Sequence, residues 1–142
     1  MAEIYKATDA MAAEAQRGLD WRKEFNRGGT SIGVARANQL VNRENLSEST
    51  VKRMHSYFSR HEVDKQGQGY SPSEEGYPSA GRIAWALWGG DPGQSWARAR
   101  VASMSNKSMD DADYAIEEIR ENMEDSMDKL HEAIEQLFSH LK

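Results

Sequence analysis

The sequence predicts an all-α protein: a compact bundle of about five short helices, followed by one long, acidic, amphipathic helix. Three observations carry the prediction. Apolar residues recur at steps of three and four along most of the chain, as one face of a helix requires. Ser, Thr or Asp stands just before these runs, where a side-chain oxygen can cap a helix N-terminus. Paired glycines and one stretch rich in Gly, Ser and Pro interrupt the runs where helices must stop.

The strongest single segment is 76–96, GYPSAGRIAWALWGGDPGQSW, which holds three of the four Trp. Buried Trp supplies more apolar contact than any other side chain, so the core is expected here. A chain of 142 residues suits one domain with an appendage. A hydrophobic share of 38% and a charged share of 29% fit a modest core. No apolar run approaches the roughly 18 residues of a membrane span. Residues 1–11 have neither a basic nor an apolar region, so no secretory signal is expected. Cysteine is absent, which excludes disulfides, thiol catalysis and Cys-ligated zinc and fits an intracellular location.

Net charge divides the chain. Residues 1–104 carry 14 Lys and Arg against 12 Asp and Glu, a balance of +2. Residues 105–142 carry 4 against 11, a balance of −7. Such asymmetry marks two jobs or two partners. The expected organisation is a helical globular domain over 1–104 and an acidic amphipathic helix over 105–142 that docks or oligomerises.

The first helix is expected over 8–25, capped by Thr8 or Asp9, with Met11, Ala15, Leu19 and Arg22 in step. Trp21 and Phe25, four apart, are placed to stack along one face. Gly28 and Gly29 end the helix, and RGGT opens the next either as a plain turn and cap or as a weak anion-binding start. The second helix, 31–41, turns Val34, Ala37, Leu40 and Val41 inward and Arg36 and Asn38 outward. Ser47 caps a third over 47–61, with Val51, Met54, Tyr57, Phe58 and His61 on one face and Lys52, Arg53, Ser56 and Arg60 on the other.

The second and third helices together resemble a helix-turn-helix, whose second helix reads the major groove of duplex DNA. Ser49, Thr50, Lys52 and Arg53 would then face base edges, and Arg36, Arg43 and Arg60 the phosphates. The turn is longer than that motif uses, and a balance of +2 is a faint electrostatic footprint. The plain alternative is an antiparallel helix pair with a solvated basic face. His61 and Asp64 form half a metal or acid/base site, and His near a helix C-terminus also suits the helix dipole alone.

The 14 residues 65–78 read as a polar loop that Tyr70 and Tyr77 can pin to the core and that is a natural place for a partner contact. Ser79 starts a fourth helix with Ile83, Ala84, Leu87, Trp85 and Trp88 giving it a broad apolar arc. Gly89 and Gly90 stop it, and Asp91-Pro92 is read as cap and first residue of a fifth helix to about 101. That helix is expected to turn Trp96 and Ala99 inward and Arg98 and Arg100 outward. The Trp cluster reads as core first and as a base-stacking platform second.

A polar linker over 103–108 precedes the last helix, 110–141, roughly 45 Å long. Ser108 and Asp111 sit at capping-box spacing. Ile116, Ile119, Met123, Met127, Leu130, Ile134, Leu137 and Leu141 follow steps of 3, 4, 4, 3, 4, 3 and 4. That is an eleven-residue unit followed by heptads, a narrow coiled-coil seam that needs a partner. Glu117, Glu121, Glu124 and Asp128 flank it, so a parallel pair of copies would repel itself. An antiparallel pair or a basic partner is more comfortable, and the two methionines make the seam adaptable.

With these motifs in view, residues from about 13 to 97 resemble a small module common in tailed bacteriophages and prophages. The likeness lies in RGLDWRKEFNRGGTSIGVARANQL, LSESTVKRMHSYFSRHEVDKQGQGY and GYPSAGRIAWALWGGDPGQSWA. The module occurs alone or attached to phage head-morphogenesis proteins such as prohead proteases. The resemblance implies a phage context, in the host cytoplasm during infection or in the virion, and carries no catalytic residues. The tail after Ser103 lies outside it. No paired carboxylates, metal set or triad is visible, so the expected function is non-enzymatic, with no cofactor. The expected partners are a second copy or another phage protein, with duplex DNA as the alternative and no membrane.

Overall fold

The computed structural model describes residues 5–104 and 108–140, and within the last helix the side chains of 116 and 119–138. The chain is all-α: the described residues form α-helices, one 3₁₀ turn and no strand. The helices are α1 (Asp9–Phe25), α2 (Ser31–Val41), α3 (Glu48–His61), α4 (Ala80–Leu87), α5 (Gly90–Ser103) and α6 (Ser108–His140).

Local chemistry explains the starts. The Thr8 hydroxyl accepts from the Met11 N–H at 3.2 Å, which settles the cap of α1 on Thr8. Thr30, Ser47 and Ser79 accept in the same way from Gly33, Thr50 and Arg82. Each cap satisfies one of the N–H groups that a helix start leaves unbonded. Helix α1 ends at Phe25, the expected limit, with Asn26 in the left-handed region (φ 51°) as its C-cap. Helix α5 departs from expectation. It starts at Gly90 after Gly89 (φ 113°), and Asp91 does not cap it. The Asp91 carboxylate instead accepts from the Trp85 indole at 2.9 Å and pairs with Lys65 at 3.1 Å.

The core forms where helices α1 to α5 converge. Trp85, Phe58, Met11, Leu40, Met54, Ile83, Leu87 and Val51 are its largest fully enclosed side chains. Trp85 meets Phe58 edge-on at 4.8 Å, and Tyr57 lies flat against Trp88 at 4.4 Å. Trp85, Trp88 and Trp96 are all buried, so the Trp cluster is core and no stacking platform for bases. Helices α1 and α4 cross at Gly18, where an added Cβ would stand 2.8 Å from the Leu87 nitrogen. Gly28 (φ 92°) lets the following turn press on Ile83, 2.6 Å from where its Cβ would be.

Several expected faces are corrected by the packing. Ala97 is buried and Ala99 exposed, because α5 presents the side next to Trp96. Val34 and Val41 are only partly buried. Arg36, expected outward, is 6% exposed. Trp21 does not stack on Phe25. Its ring meets the edge of Tyr77 at 5.5 Å and lies under the guanidinium groups of Arg17 and Arg82. Phe25 sits at the surface beneath Arg27.

The loop after α3 is tied to the body. Arg17 donates to the Tyr77 hydroxyl at 3.0 Å, and Arg27 donates to the carbonyls of Gly76 and Pro78. Tyr70 packs against the core beneath Arg82. Tyr70 and Tyr77 therefore act within the chain as anchors. The expected linker falls partly outside the described residues, as do Leu141 and the capping-box side chains of Ser108 and Asp111.

Candidate functional site

Helix α6 lies against α2 and α3, and the face it turns inward is the charged one. The Glu121 carboxylate pairs with Arg53 Nε at 2.5 Å and stands 3.7 Å from Arg36 Nη2. Two turns further on, Asp128 accepts from the Ser31 backbone N–H at 3.2 Å and from the Ser31 hydroxyl. Ser31 is the first residue of α2, so this carboxylate sits on the positive end of that helix dipole. The anion-binding start weighed for RGGT is thus occupied by an acid of the same chain.

The seam points the other way. Ile116, Ile119, Met123, Met127, Leu130, Ile134 and Leu137 expose 42–67% of their surface. The body does not cover them, so α6 docks on the domain but not through its seam. Phe138, 60% exposed, lies beside the stripe and extends it. Its place in the sequence, next to Leu137 and four after Ile134, carried that signal.

The electrostatics of the inner face are not those of a stabilising salt bridge. Arg36 also donates to Gln39 at 2.6 Å, and its guanidinium lies 5.1 Å from the Trp88 ring centre. Burial lowers its pKa to about 10, although the nearby Glu121 charge works to raise it. Burial likewise raises the Glu121 pKa against the pull of Arg36 and Arg53. For both partners desolvation outweighs attraction, the usual position of a half-buried ion pair. The triad fixes where α6 lies more than it adds to stability.

The predicted nucleic-acid residues do not gather into one open face. Arg36 and Arg53 meet at Glu121 under α6. Thr50 is 7% exposed, and its hydroxyl bonds to Ser47 and Arg53, out of reach of a base edge. Ser49 accepts from Arg53. Arg43 turns to Asp9 at 2.7 Å and to the Ala7 carbonyl. Lys52 is partly exposed, and Arg60 is exposed and near enough to α6 to act on the Glu121 carboxylate.

Between α6 and the body runs a cleft of about 540 Å³, walled by Tyr57, His61 and Asp64 on one side and Asp125 and Lys129 on the other. His61 Nδ1 stands 3.2 Å from Asp64, and the imidazole stacks on Tyr57 at 4.5 Å. Tyr57 is thus sandwiched between His61 and Trp88. Its hydroxyl is buried with no hydrogen-bond partner among the described residues. Burial, then the nearby Asp64, raise its pKa well above the ordinary phenol value, so it is a neutral donor. No protein-family model, no curated protein and no solved structure matches the chain.

Proposed function

We propose that the chain is a non-enzymatic bacteriophage accessory or virion-associated protein that assembles through the outward seam of α6. The phage context rests on the resemblance of residues 13–97. The assembly role rests on one observation: seven large apolar side chains in coiled-coil register stand more than two-fifths exposed along one helix. A row of that kind, rimmed by acids, is an interaction surface rather than ordinary surface apolarity. Its occupant is a second copy or another phage protein. The globular domain, 1–104, holds α6 by its charged face and so keeps the seam presented.

Charge favours an antiparallel pair of copies. Residues 108–125 carry eight Asp and Glu and one Arg, whereas 126–142 carry three acids and two Lys. Antiparallel pairing sets the acidic half of one helix beside the nearly balanced half of the other, which parallel pairing cannot do. Light-scattering mass after size exclusion tests the reading. The chain should run above its 16.0 kDa, and Leu130→Asp with Ile134→Asp should return it to the monomer. An unchanged mass in that double variant would remove the seam as the assembly surface.

A further inference from the structure

The cleft under α6 is bordered by a polar group that the fold leaves unused. Tyr57 is 4% exposed, and its hydroxyl has no hydrogen-bond partner among the described residues. A buried polar atom in that state costs stability until another group completes it. His61 and Trp88 take the two faces of the ring, so a further molecule can meet Tyr57 only along its edge. Carboxylates act on the hydroxyl from both walls of the cleft, Asp64 from the body and Asp125 from α6. Tyr70 acts in the same sense, and Arg60 opposes them with the smallest effect of the four. The hydroxyl therefore stands in a negative field. Asp64 is fixed at its wall by His61 Nδ1 at 3.2 Å. Gly81 leaves room for it, since an added Cβ there would stand 3.1 Å from the Asp64 Cβ.

We propose that this cleft binds a small arylalkyl amine, whose ammonium lodges between Asp64 and Asp125 and donates to the Tyr57 hydroxyl oxygen, while its ring lies along Ala80, Ala84 and Trp88. The size fits. Small-molecule sites occupy roughly 300–1,000 Å³, and this cleft has about 540 Å³. The donors fit as well, because an ammonium has three N–H groups for two carboxylates and one phenol oxygen. Small residues at 80, 81 and 84 keep the body wall shallow enough for a ring. Tyr57 covers one face of Trp88, and aromatic edges pack well onto the face of a ligand ring. The other charged groups of the cleft agree with a cation. Arg27 is engaged by the carbonyls of Gly76 and Pro78, and Glu132 adds a further acid to the α6 wall. Lys129, one turn from Asp125 on that wall, is the internal competitor of a bound amine. An anion of the same shape would meet three carboxylates. The site shares no residue with the seam and stands independently of it.

The test is an NMR titration of the isotope-labelled full chain with phenethylamine, phenethyl alcohol and hydrocinnamate, which share a ring and a short chain and differ in charge. Phenethylamine should bind saturably and shift the amide signals of Gly81 and Trp88. The alcohol should bind at least about tenfold more weakly and hydrocinnamate not at all, since each lacks the charged donor. Asp125→Asn and Tyr57→Phe should each weaken the amine about tenfold, as loss of a hydrogen bond to a charged group does. Glu124→Gln removes a charge from the exposed side of α6 and should leave the affinity unchanged. Circular dichroism checks folding. Should Asp125→Asn loosen α6, Tyr57→Phe, which keeps the ring, makes the same comparison. No saturable binding of phenethylamine, or hydrocinnamate binding as tightly as the amine, would overturn the proposal. So would unchanged affinity in Tyr57→Phe, or a loss in Glu124→Gln equal to that in Asp125→Asn, which would reduce the binding to general attraction by an acidic helix.

Discussion

Replacing Tyr57 by Phe removes one oxygen from the centre of the aromatic stack and leaves the ring. The ring contacts with Trp88 at 4.4 Å, His61 at 4.5 Å and Phe58 at 5.4 Å need not change. What goes is a hydroxyl in a residue only 4% exposed, with no partner among the described residues. A buried polar group left unpaired costs about 1–3 kcal/mol, whereas its replacement by an apolar group of the same shape recovers that cost. Because burial keeps the phenol neutral, no charge is lost with it. Taking the lower end, Tyr57→Phe should stabilise the fold by about 1 kcal/mol, which raises Tm by about 3–5 °C in a chain of this length. Urea unfolding followed by Trp fluorescence should show a higher midpoint with an unchanged slope. A loss of more than about 0.5 kcal/mol would refute the reasoning, since it would mean that the hydroxyl holds a partner such as an ordered water in the cleft.

Gly18→Ala should act in the opposite direction. Its new methyl would meet the Leu87 backbone at 2.8 Å, and overpacking of this kind costs about 1–3 kcal/mol, read as a lower Tm. Asp91 gives a pH signature. Burial pushes its pKa up, but the bonds from Trp85 and Lys65 prevail and hold it below the ordinary value. A carboxyl lowered on folding stabilises above its unfolded pKa and loses that contribution as pH falls through the folded one. The Tm advantage of wild type over Asp91→Asn should therefore be full at pH 7 and fade below about pH 4. Equal Tm values at both pH values would contradict the Trp85–Asp91–Lys65 arrangement. Glu121→Leu should loosen α6, because it removes the carboxylate that Arg36 and Arg53 both reach, and faster amide exchange over 119–138 would report it. Unchanged exchange would show that the triad does not hold the helix.

The starts of the first four helices were legible because each is written locally. Thr8, Thr30, Ser47 and Ser79 cap where a short polar residue precedes an apolar run, and the steps of three and four in α3 name its buried face. The errors fall where a distant partner decides. Arg36 reads as outward in the sequence because an Arg is rarely buried. Trp88, from another helix, and Glu121, from the last one, enclose it. Asp91 has the look of a cap because Pro follows it. A buried indole six residues back claims its oxygen.

Helix α6 shows the limit most clearly. Its sequence contains two stripes, one apolar and one acidic, and either can dock. Periodicity locates both but cannot rank them. The ranking comes from Ser31, Arg36 and Arg53, three residues on two other helices that meet only in the fold. The Tyr57–His61–Asp64 wall was half visible as a His and an Asp three apart. That it borders a cleft depends on α6 lying across it.

The central claim, that the seam of α6 is an assembly surface, is tested most directly by disulfide cross-linking. The chain has no cysteine, so a single introduced thiol reports without background. Met127 lies near the midpoint of 116–137, where an antiparallel pair brings the same residue of both copies together. Met127→Cys should form a covalent dimer under mild oxidation, and Asp125→Cys, on the inward face, should not. Cross-linking at Asp125 as fast as at Met127, or at neither, would contradict the account.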